Sequence, residues 1–138
     1  MNKEIIKLLK ISKNFSTASK NINVLKNINL KINAGEIISL TGPSGSGKST
    51  LLHIIALLDS PTSGNVFFKS KNLSKSSDKE KDFVRKKGIS IIYQQNNLLN
   101  DFTALENVCL ASLAINNDKQ KALLESIKII QNLGLSSR

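Results

Sequence analysis

The 138-residue sequence has few of the residues that would mark several common classes of protein. Its single cysteine, Cys109, excludes a disulfide scaffold and a cysteine-rich zinc module. It has no tryptophan and only 4% aromatic residues, so it has no aromatic strip on which a series of bases could stack. No apolar run approaches the roughly 18 residues that a membrane-spanning helix needs. The amino terminus carries Glu4 and lysines within its short apolar stretch and is not typical of a signal peptide.

Acidic residues are scarce as well, with 10 Asp and Glu against 20 Lys and Arg, and the formal net charge is +10. Such a balance suggests contact with nucleic acid or with acidic lipid head groups. Only Arg85 and Arg138 are arginine, however, and arginine is the residue that binds phosphate and guanine with two parallel hydrogen bonds. The lysines accompany many Asn and Ile residues, a composition that an AT-rich genome also produces. The charge therefore identifies no partner, and we do not expect nucleic acid to be one.

The chain does have 40% apolar residues, which is enough for one domain with a hydrophobic core. The composition indicates a soluble protein of a reducing compartment. The short, nearly continuous apolar runs at 37–40 and 89–93 are typical of strands that are covered on both faces. A turn is predicted at 60–64, where Ser, Pro, Thr and Gly interrupt the pattern. Strands are predicted at 5–11, 28–32, 37–40, 66–68 and 89–93.

The first two predicted helices differ in character. The helix that begins near Lys48 is apolar almost all round, so we expect it to be buried. The next helix is highly charged and follows Ser76 or Ser77 as its cap. Gly88 is expected to end it. The lysine-rich stretch 69–87 around it is interpreted as a solvated face.

Two more helices are predicted in the last third of the chain. Thr103 and Glu106 have the spacing of a capping box at the start of one of them. The other begins near Asp118 and is expected to stop at Gly134. Its predicted apolar stripe consists of Leu123, Leu124, Ile127, Ile130 and Leu133.

The sequence from Gly42 to Ser49 matches the pattern G-x-x-x-x-G-K-[ST], the P-loop, between a predicted buried strand and an apolar helix. Backbone N–H groups in such a loop form a nest for triphosphate, and glycines let the backbone approach phosphate oxygens. Lys48 would reach the β- and γ-phosphates, and the Ser49 hydroxyl would bind Mg²⁺. Thr50 could add a hydroxyl near the α-phosphate. The predicted nucleotide-binding residues of the loop are Gly42, Pro43, Ser44, Gly45, Ser46, Gly47, Lys48, Ser49 and Thr50.

The acidic residue that completes the magnesium site of P-loop hydrolases is not recognisable. These enzymes place it at the end of a second strand. The chain has no adjacent Asp-Glu pair, and none of its ten acidic residues follows a strand-like apolar run. Asp59 comes closest, and it ends the predicted P-loop helix. The sequence therefore predicts nucleotide binding without all the residues for hydrolysis.

Together with the P-loop, other segments give the chain a resemblance to the ATP-binding subunits of ABC transporters over essentially its whole length. The stretch GPSGSGKSTLLHIIALLDSPTSGNVFF resembles the family's P-loop helix and the turn after it. Residues 91–94 resemble the strand that leads to the family's Q-loop glutamine, and residues 98–108 resemble the segment after it. The pieces STLLH, LLDSPTSG and LLNDFTALENV most resemble the lipoprotein-releasing (Lol) subgroup, and the subgroups for macrolide export and cell division are similar.

The resemblance implies an α/β fold of the P-loop NTPase class. Residues 1–138 would form only the first part of an ABC ATP-binding domain. That part would comprise an antiparallel β subdomain, the P-loop strand and helix with the loop at 42–50, and the Q-loop at Gln94. A helical subdomain would begin at about residue 97.

The resemblance also implies site residues, cofactors and partners. Phe15 lies where the family places an aromatic residue that stacks on adenine, for which a flat π face is sufficient. Gln94 would act with Lys48 in catalysis, by placing Mg²⁺ and the attacking water, and would couple the site to the membrane subunit. The implied cofactors are ATP and Mg²⁺. The implied partners are membrane-spanning transporter subunits and a second ATP-binding subunit, at the cytoplasmic face of the bacterial inner membrane.

The sequence departs from the family pattern in motifs that the family uses to hydrolyse ATP. The LSGGQ signature, the strand-end aspartate, the catalytic glutamate and the switch histidine are absent from the 138 residues. We therefore expect no ATPase turnover by the chain alone. The sequence is interpreted as a truncated or split coding sequence, as one half of an enzyme whose remainder is a separate chain, or as a non-functional remnant. In the family a further strand lies beside the P-loop strand, so without it residues 37–40 should have an unpaired edge and uncovered apolar surface, with poor solubility or weak stability.

Two other reactive side chains are expected to be structural. His53 is the only histidine and lies in the apolar P-loop helix, where a packing role is the interpretation. Cys109 lies among apolar residues of a predicted helix, so we expect it to be buried.

Overall fold

The structure is a computed structural model that describes residues 3–17 and 20–136, without the side chain of Asn116. The chain divides into two compact units, Met1–Arg85 and Lys86–Arg138. The elements follow in the order β1 (Glu4–Thr17), β2 (Lys20–Asn33), α1 (Lys48–Ile55), β3 (Ser63–Phe68), β4 (Lys71–Asn72), α2 (Asp78–Gly88), α3 (Ala104–Asn116) and α4 (Lys119–Asn132).

β1 is the strand around which the sheet of the first unit is built. It pairs antiparallel with β2 on one side and with β3 on the other, and β4 extends the sheet beyond β3. Each of the three strands is longer than predicted, because backbone pairing continues through flanking polar residues such as Asn14, which lies opposite Asn23. Predicted strands are confirmed at 5–11, 28–32 and 66–68.

The core of the first unit combines side chains of the sheet with the inner face of α1. Leu8, Ile11 and Ile54 are fully buried, and burial of each such side chain stabilises the fold by about 1.5–3 kcal/mol. Leu52 and Leu58 are 52% and 46% exposed, so the prediction that this helix is buried all round is wrong. In the described part of the first unit, only the inner side of α1 is covered. The other buried apolar residues of this unit are Ile6, Leu25, Leu51, Ala56, Leu57, Val66, Phe68 and Leu73.

Two of the predicted strands are not formed. Residues 37–40 and 89–93 are irregular, and Ile37 and Ile92 are 100% and 99% exposed. A strand needs a neighbour for its N–H and C=O groups, and no segment of the described ranges pairs with either run. The prediction of two buried strands is therefore wrong, and with no strand at 37–40 the predicted unpaired strand edge does not arise. The expected uncovered apolar surface at 37–40 is observed.

The predicted turn at 60–64 is shorter than expected because β3 begins at Ser63. Ser63 lies opposite Ser12 of β1, and the Thr62 N–H donates to the Ser12 carbonyl at 2.9 Å. Gly64 is therefore a strand residue rather than a turn residue.

The cap predicted for α2 is confirmed at Ser77, and α4 begins next to Asp118 as predicted. At α2, the Ser77 hydroxyl accepts from the Glu80 N–H at 3.4 Å and the Glu80 carboxylate accepts from the Ser77 N–H at 3.2 Å. At α4, the Asp118 carboxylate accepts from the Lys121 N–H at 3.1 Å. No residue of α2 is buried, as expected for a solvated face. Gly134 follows α4 with a φ of 69°, the left-handed conformation that ends helices.

The second unit is built on the pairing of α3 with α4. Ala122 and Ser126 are fully buried, and the Ser112 hydroxyl of α3 donates to the Glu125 carboxylate of α4 at 2.6 Å. The predicted apolar stripe of α4 is only partly correct, because Ala122 and Ser126, which are not members of the stripe, occupy the covered face. Ile127 and Ile130 are half-buried, and the exposed members of the stripe are Leu123, Leu124 and Leu133.

The capping box predicted at the start of α3 is present. The Thr103 hydroxyl accepts from the Glu106 N–H at 3.2 Å, and the Glu106 carboxylate accepts from both the Thr103 N–H and its hydroxyl at 2.8 Å. These hydrogen bonds, the one from the backbone N–H first, lower the pKa of Glu106. A lowered pKa means that the folded helix favours the ionised carboxylate. Its stabilising contribution is present above the ordinary glutamate pKa of about 4.3 and is lost as the pH falls through the lowered value.

Thr103→Ala is expected to raise the pKa of Glu106 partway towards its ordinary value. The substitution removes the hydroxyl donor but leaves the backbone N–H, which makes the larger contribution. Carboxyl ¹³C shifts in an NMR pH titration measure the change. Glu36 is the internal control, because its pKa is lowered by hydrogen bonds from Asn33 in the other unit. A wild-type Glu106 that titrates at or above the ordinary value would contradict this account.

In the described part of the chain, no helix is long and apolar enough to cross a membrane.

Candidate nucleotide-binding site

The loop at 42–47 leads directly into α1, the helix predicted to follow it. Its three glycines, Gly42, Gly45 and Gly47, have φ values of 153°, 77° and 90°, as expected for a tight turn that side chains would oppose. The Ser46 N–H donates to the Pro43 carbonyl at 3.3 Å and closes the turn. Residues 42–46 are exposed, so the loop presents its backbone to a ligand from solvent.

Gly47 fixes the junction between the loop and α1 against the sheet. A Cβ at this position would lie 3.0 Å from side-chain carbons of both Val24 and Leu25, and 3.1 Å from the Val24 carbonyl. A side chain would therefore push the loop away from β2. The glycine is required here by close packing as well as by its left-handed φ.

Lys48 is folded back over the loop that precedes it. Its Nζ donates to the Gly42 carbonyl at 2.9 Å and to the Pro43 carbonyl at 2.7 Å, and lies 3.4 Å from the Ser46 hydroxyl. The ammonium group is thus held at the loop by neutral acceptors, which a more strongly negative ligand can replace.

The amino-terminal turn of α1 has no side-chain cap and no acidic residue. The first N–H groups of a helix have no partner within it, and the helix dipole places partial positive charge there. Ser49 is exposed and Thr50 is half-buried in this turn. Together with Lys48, these groups offer only positive or hydrogen-bonding chemistry, which suits an anion such as phosphate.

Phe15 lies near the end of β1, opposite Ile22 of β2, and its side chain is 43% exposed. The Nζ of Lys13 lies over the Phe15 ring, 5.0 Å from its centroid. The same Nζ donates to Asp59 Oδ1 at 2.6 Å and to the Ser60 carbonyl at 2.8 Å. The ring belongs to the same unit as the loop and retains surface for a planar ligand.

The sequence alone does not indicate that Lys13 and Asp59 lie beside Phe15 in the candidate site. They are 46 positions apart, and no local pattern connects them. One signal was available, because Lys13 and Phe15 are two residues apart on a strand and their side chains share a face.

Gln94 belongs to the second unit, in an exposed, irregular segment that no strand precedes. The structure therefore brings residues 42–50 together on one loop and helix, with Phe15 in the same unit. Gln94 lies in the other unit.

His53 is exposed rather than packed inside α1, and Cys109 is half-buried rather than buried. In the described residues, α1 and the elements around it leave His53 uncovered, and α3 and the elements around it cover Cys109 only in part. No group of three or more His, Cys, Asp or Glu residues that could hold a metal occurs in the described ranges.

Comparison with known proteins gives one consistent result. The family model "ABC transporter" matches residues 25–137. The lipoprotein-releasing system ATP-binding protein LolD of Rickettsia felis is 42% identical over 138 residues, which are 100% of this chain and 60% of that protein. LolD of Wigglesworthia glossinidia brevipalpis is 40% identical over 137 residues, or 99% of this chain and again 60% of the relative. The chain thus spans about 60% of the length of these curated relatives.

Solved structures resemble the chain in fold as well as in sequence. A dimeric post-hydrolysis structure of the ATP-binding cassette MJ0796, bound to ADP and Pi, matches with a TM-score of 0.84 and 35% identity. The match covers 92% of this chain and 56% of that one. The antiparallel sheet, the glycine-rich loop and the helices are those of the amino-terminal part of an ABC ATPase domain. The chain belongs to the ABC transporter family, and LolD ATP-binding proteins are 40–42% identical to it over 99–100% of its length.

Proposed function

We propose that this chain binds ATP with Mg²⁺ through residues 42–50. The observation that carries the proposal is the position of the Lys48 ammonium, which two loop carbonyls hold at 2.9 and 2.7 Å beside the uncapped start of α1. Both features concentrate positive charge and N–H donors at one exposed loop. The residues present therefore fit a triphosphate.

Each residue of the loop has a role in this proposal. The backbone N–H groups of Gly42, Ser44, Gly45, Ser46 and Gly47 would surround the β-phosphate. Pro43 has no N–H and would restrict the backbone of the loop instead. Lys48 would exchange its carbonyl partners for oxygens of the β- and γ-phosphates. Thr50, in the first turn of α1, would donate to the α-phosphate.

Mg²⁺ would be bound by the Ser49 hydroxyl, which is exposed at the start of α1. When bound, Mg²⁺ neutralises charge on the phosphates. Gln94 is proposed as a second residue toward the metal and the attacking water. Phe15 would stack on adenine, since its ring lies in the same unit as the loop and is 43% exposed.

We infer that the whole protein is the ATP-binding subunit of a transporter that releases lipoproteins. The similarity to proteins named as lipoprotein-releasing system ATP-binding proteins supports this assignment. Its partners would be membrane-spanning subunits and a second ATP-binding subunit. The dimeric structure of the similar MJ0796 cassette supports the second of these partners. The protein would act as a peripheral subunit at the cytoplasmic face of the bacterial inner membrane.

Turnover is proposed to need residues beyond these 138. The sequence contains no LSGGQ motif and no Asp-Glu pair. It would bind ATP but would not hydrolyse it alone. Magnesium-dependent ATPase activity of the purified chain that Lys48→Ala abolishes would overturn this part of the proposal.

Calorimetric titration of the purified chain with ATP, with and without Mg²⁺, tests the proposal. Ser49→Ala is expected to weaken binding of Mg–ATP about tenfold, which is about 1.4 kcal/mol, and to leave binding of ATP in EDTA unchanged. The reason is that Ser49 acts through the metal. Ser90→Ala changes an exposed serine of the second unit and should alter neither affinity. The absence of any ATP binding by a folded wild-type chain, judged by circular dichroism, would refute the proposed function.

A further inference from the structure

The segment 59–62, which follows the P-loop helix, is hydrogen-bonded to β1 next to Phe15. The Asp59 carboxylate and the Ser60 carbonyl hold the Lys13 ammonium at 2.6 and 2.8 Å. Thr62 holds the backbone on either side of Lys13, because its N–H donates to the Ser12 carbonyl at 2.9 Å and its hydroxyl accepts from the Asn14 N–H at 3.0 Å. Four contacts thus fix this short part of β1.

Asp59 is itself tied to the end of α1. The N–H groups of Leu58 and Asp59 both donate to the His53 carbonyl, at 2.9 and 3.3 Å. The Asp59 carboxylate also accepts from the Ser60 N–H at 2.7 Å, which fixes its orientation. The position of the Lys13 ammonium is therefore set by the helix that begins at the P-loop.

The ammonium is oriented toward the Phe15 ring. The Lys13 side chain is 13% exposed, and its Nζ lies 5.0 Å from the ring centroid. A cation over one face of a ring attracts its π electrons. The negative potential of the opposite face is thereby reduced, and that face becomes better suited to stack on an electron-rich purine.

We propose that Lys13, held by Asp59, is a positioning residue for adenine recognition. It covers one face of Phe15, fixes the ring, and links the adenine-binding end of β1 to the P-loop helix. The inference rests on the proposed function, and it concerns affinity for the base rather than for the phosphates.

The test compares two ligands, ATP and inorganic tripolyphosphate, by calorimetric titration in Mg²⁺. Lys13→Met keeps the apolar stem but removes the charge, and it is expected to weaken ATP binding about three- to tenfold while tripolyphosphate binding is unchanged. Lys13→Arg should retain most of the ATP affinity. Lys7→Met is the matched control, because Lys7 lies over a different ring, that of Phe67, at 5.8 Å.

A double-mutant cycle separates positioning from general structure. Phe15→Ala is expected to weaken ATP binding, and adding Lys13→Met should cause no further loss, since the ring through which Lys13 acts is gone. Asp59→Asn is the second variant if Lys13→Met does not fold, and it should reproduce the loss for ATP alone.

Three results would overturn the inference. One is equal weakening of both ligands by Lys13→Met, and another is additive losses in the cycle. The third is a loss with Phe15→Ala but none with Lys13→Met or Asp59→Asn. In each of these cases ATP binding itself stands, whereas a folded wild-type chain that binds neither ligand would refute the proposed function.

Discussion

Lys48→Ala is expected to weaken ATP binding by about 100-fold or more. The ammonium lies 2.7 and 2.9 Å from two carbonyls of the loop, so it is already within reach of a phosphate bound there. Hydrogen bonds to charged groups contribute about 1.5–3 kcal/mol each, and 1.4 kcal/mol corresponds to a tenfold change in affinity. Two such contacts amount to about 3–6 kcal/mol, and the weaker contacts to neutral carbonyls that they would replace reduce this towards the expected 100-fold, or about 2.8 kcal/mol. Calorimetric titration with Mg–ATP measures it.

The control for Lys48→Ala is Lys26→Ala. Lys26 is an exposed lysine of β2, and its replacement changes the net charge by the same amount. If both variants lost affinity equally, ATP would be attracted by the general charge of +10 rather than by the loop. Full ATP affinity in Lys48→Ala would refute the role of the P-loop lysine.

Gly64→Ala is expected to destabilise the first unit by about 3 kcal/mol or more. Gly64 has a φ of 98°, and a Cβ there would lie 2.4 Å from the Lys10 carbonyl oxygen and 2.6 Å from that of Leu9. Both atoms are backbone of β1, so no side chain can move aside. The unfavourable φ and the overlap each cost about 1–3 kcal/mol. Urea unfolding followed by circular dichroism measures the free energy of unfolding.

Gly35→Ala is the matched control for Gly64→Ala. Gly35 also has a positive φ, 79°, but nothing lies within 4 Å of its added Cβ. Only the conformational penalty of about 1–2 kcal/mol should remain. Equal destabilisation by both substitutions would show that the contact with β1 is unimportant.

Local signals predicted the conformation of the loop at 42–47 and the start of the helix after it. The glycines at 45 and 47 and the start of α1 at Lys48 depend on residues that are adjacent in the sequence, and the structure has them as predicted. The capping box of Thr103 and Glu106 is local in the same way. Each of these features needs only a few neighbouring residues to form.

Contacts between distant segments could not be predicted in this way. The apolar runs at 37–40 and 89–93 look like strands, but a strand forms only where another segment supplies hydrogen bonds. The contact of Lys13 with Asp59 and Phe15 depends on how β1 meets the segment after α1. The side of α4 that is covered depends on close packing with α3, at Ala122 and not at the larger leucines.

The position of Lys48 also determines what a binding measurement can report. Its ammonium has two carbonyl partners within the loop, so the proposed phosphate binding would be an exchange of acceptors rather than a simple addition of contacts. The measured affinity contains only the difference between the two sets. The Gly42 and Pro43 carbonyls lose their donor in this exchange and must turn toward water or other N–H groups. The Gly42 and Pro43 carbonyls thus compete with phosphate for the Lys48 ammonium. Variants that weaken these two hydrogen bonds would raise the affinity without a new contact to the nucleotide.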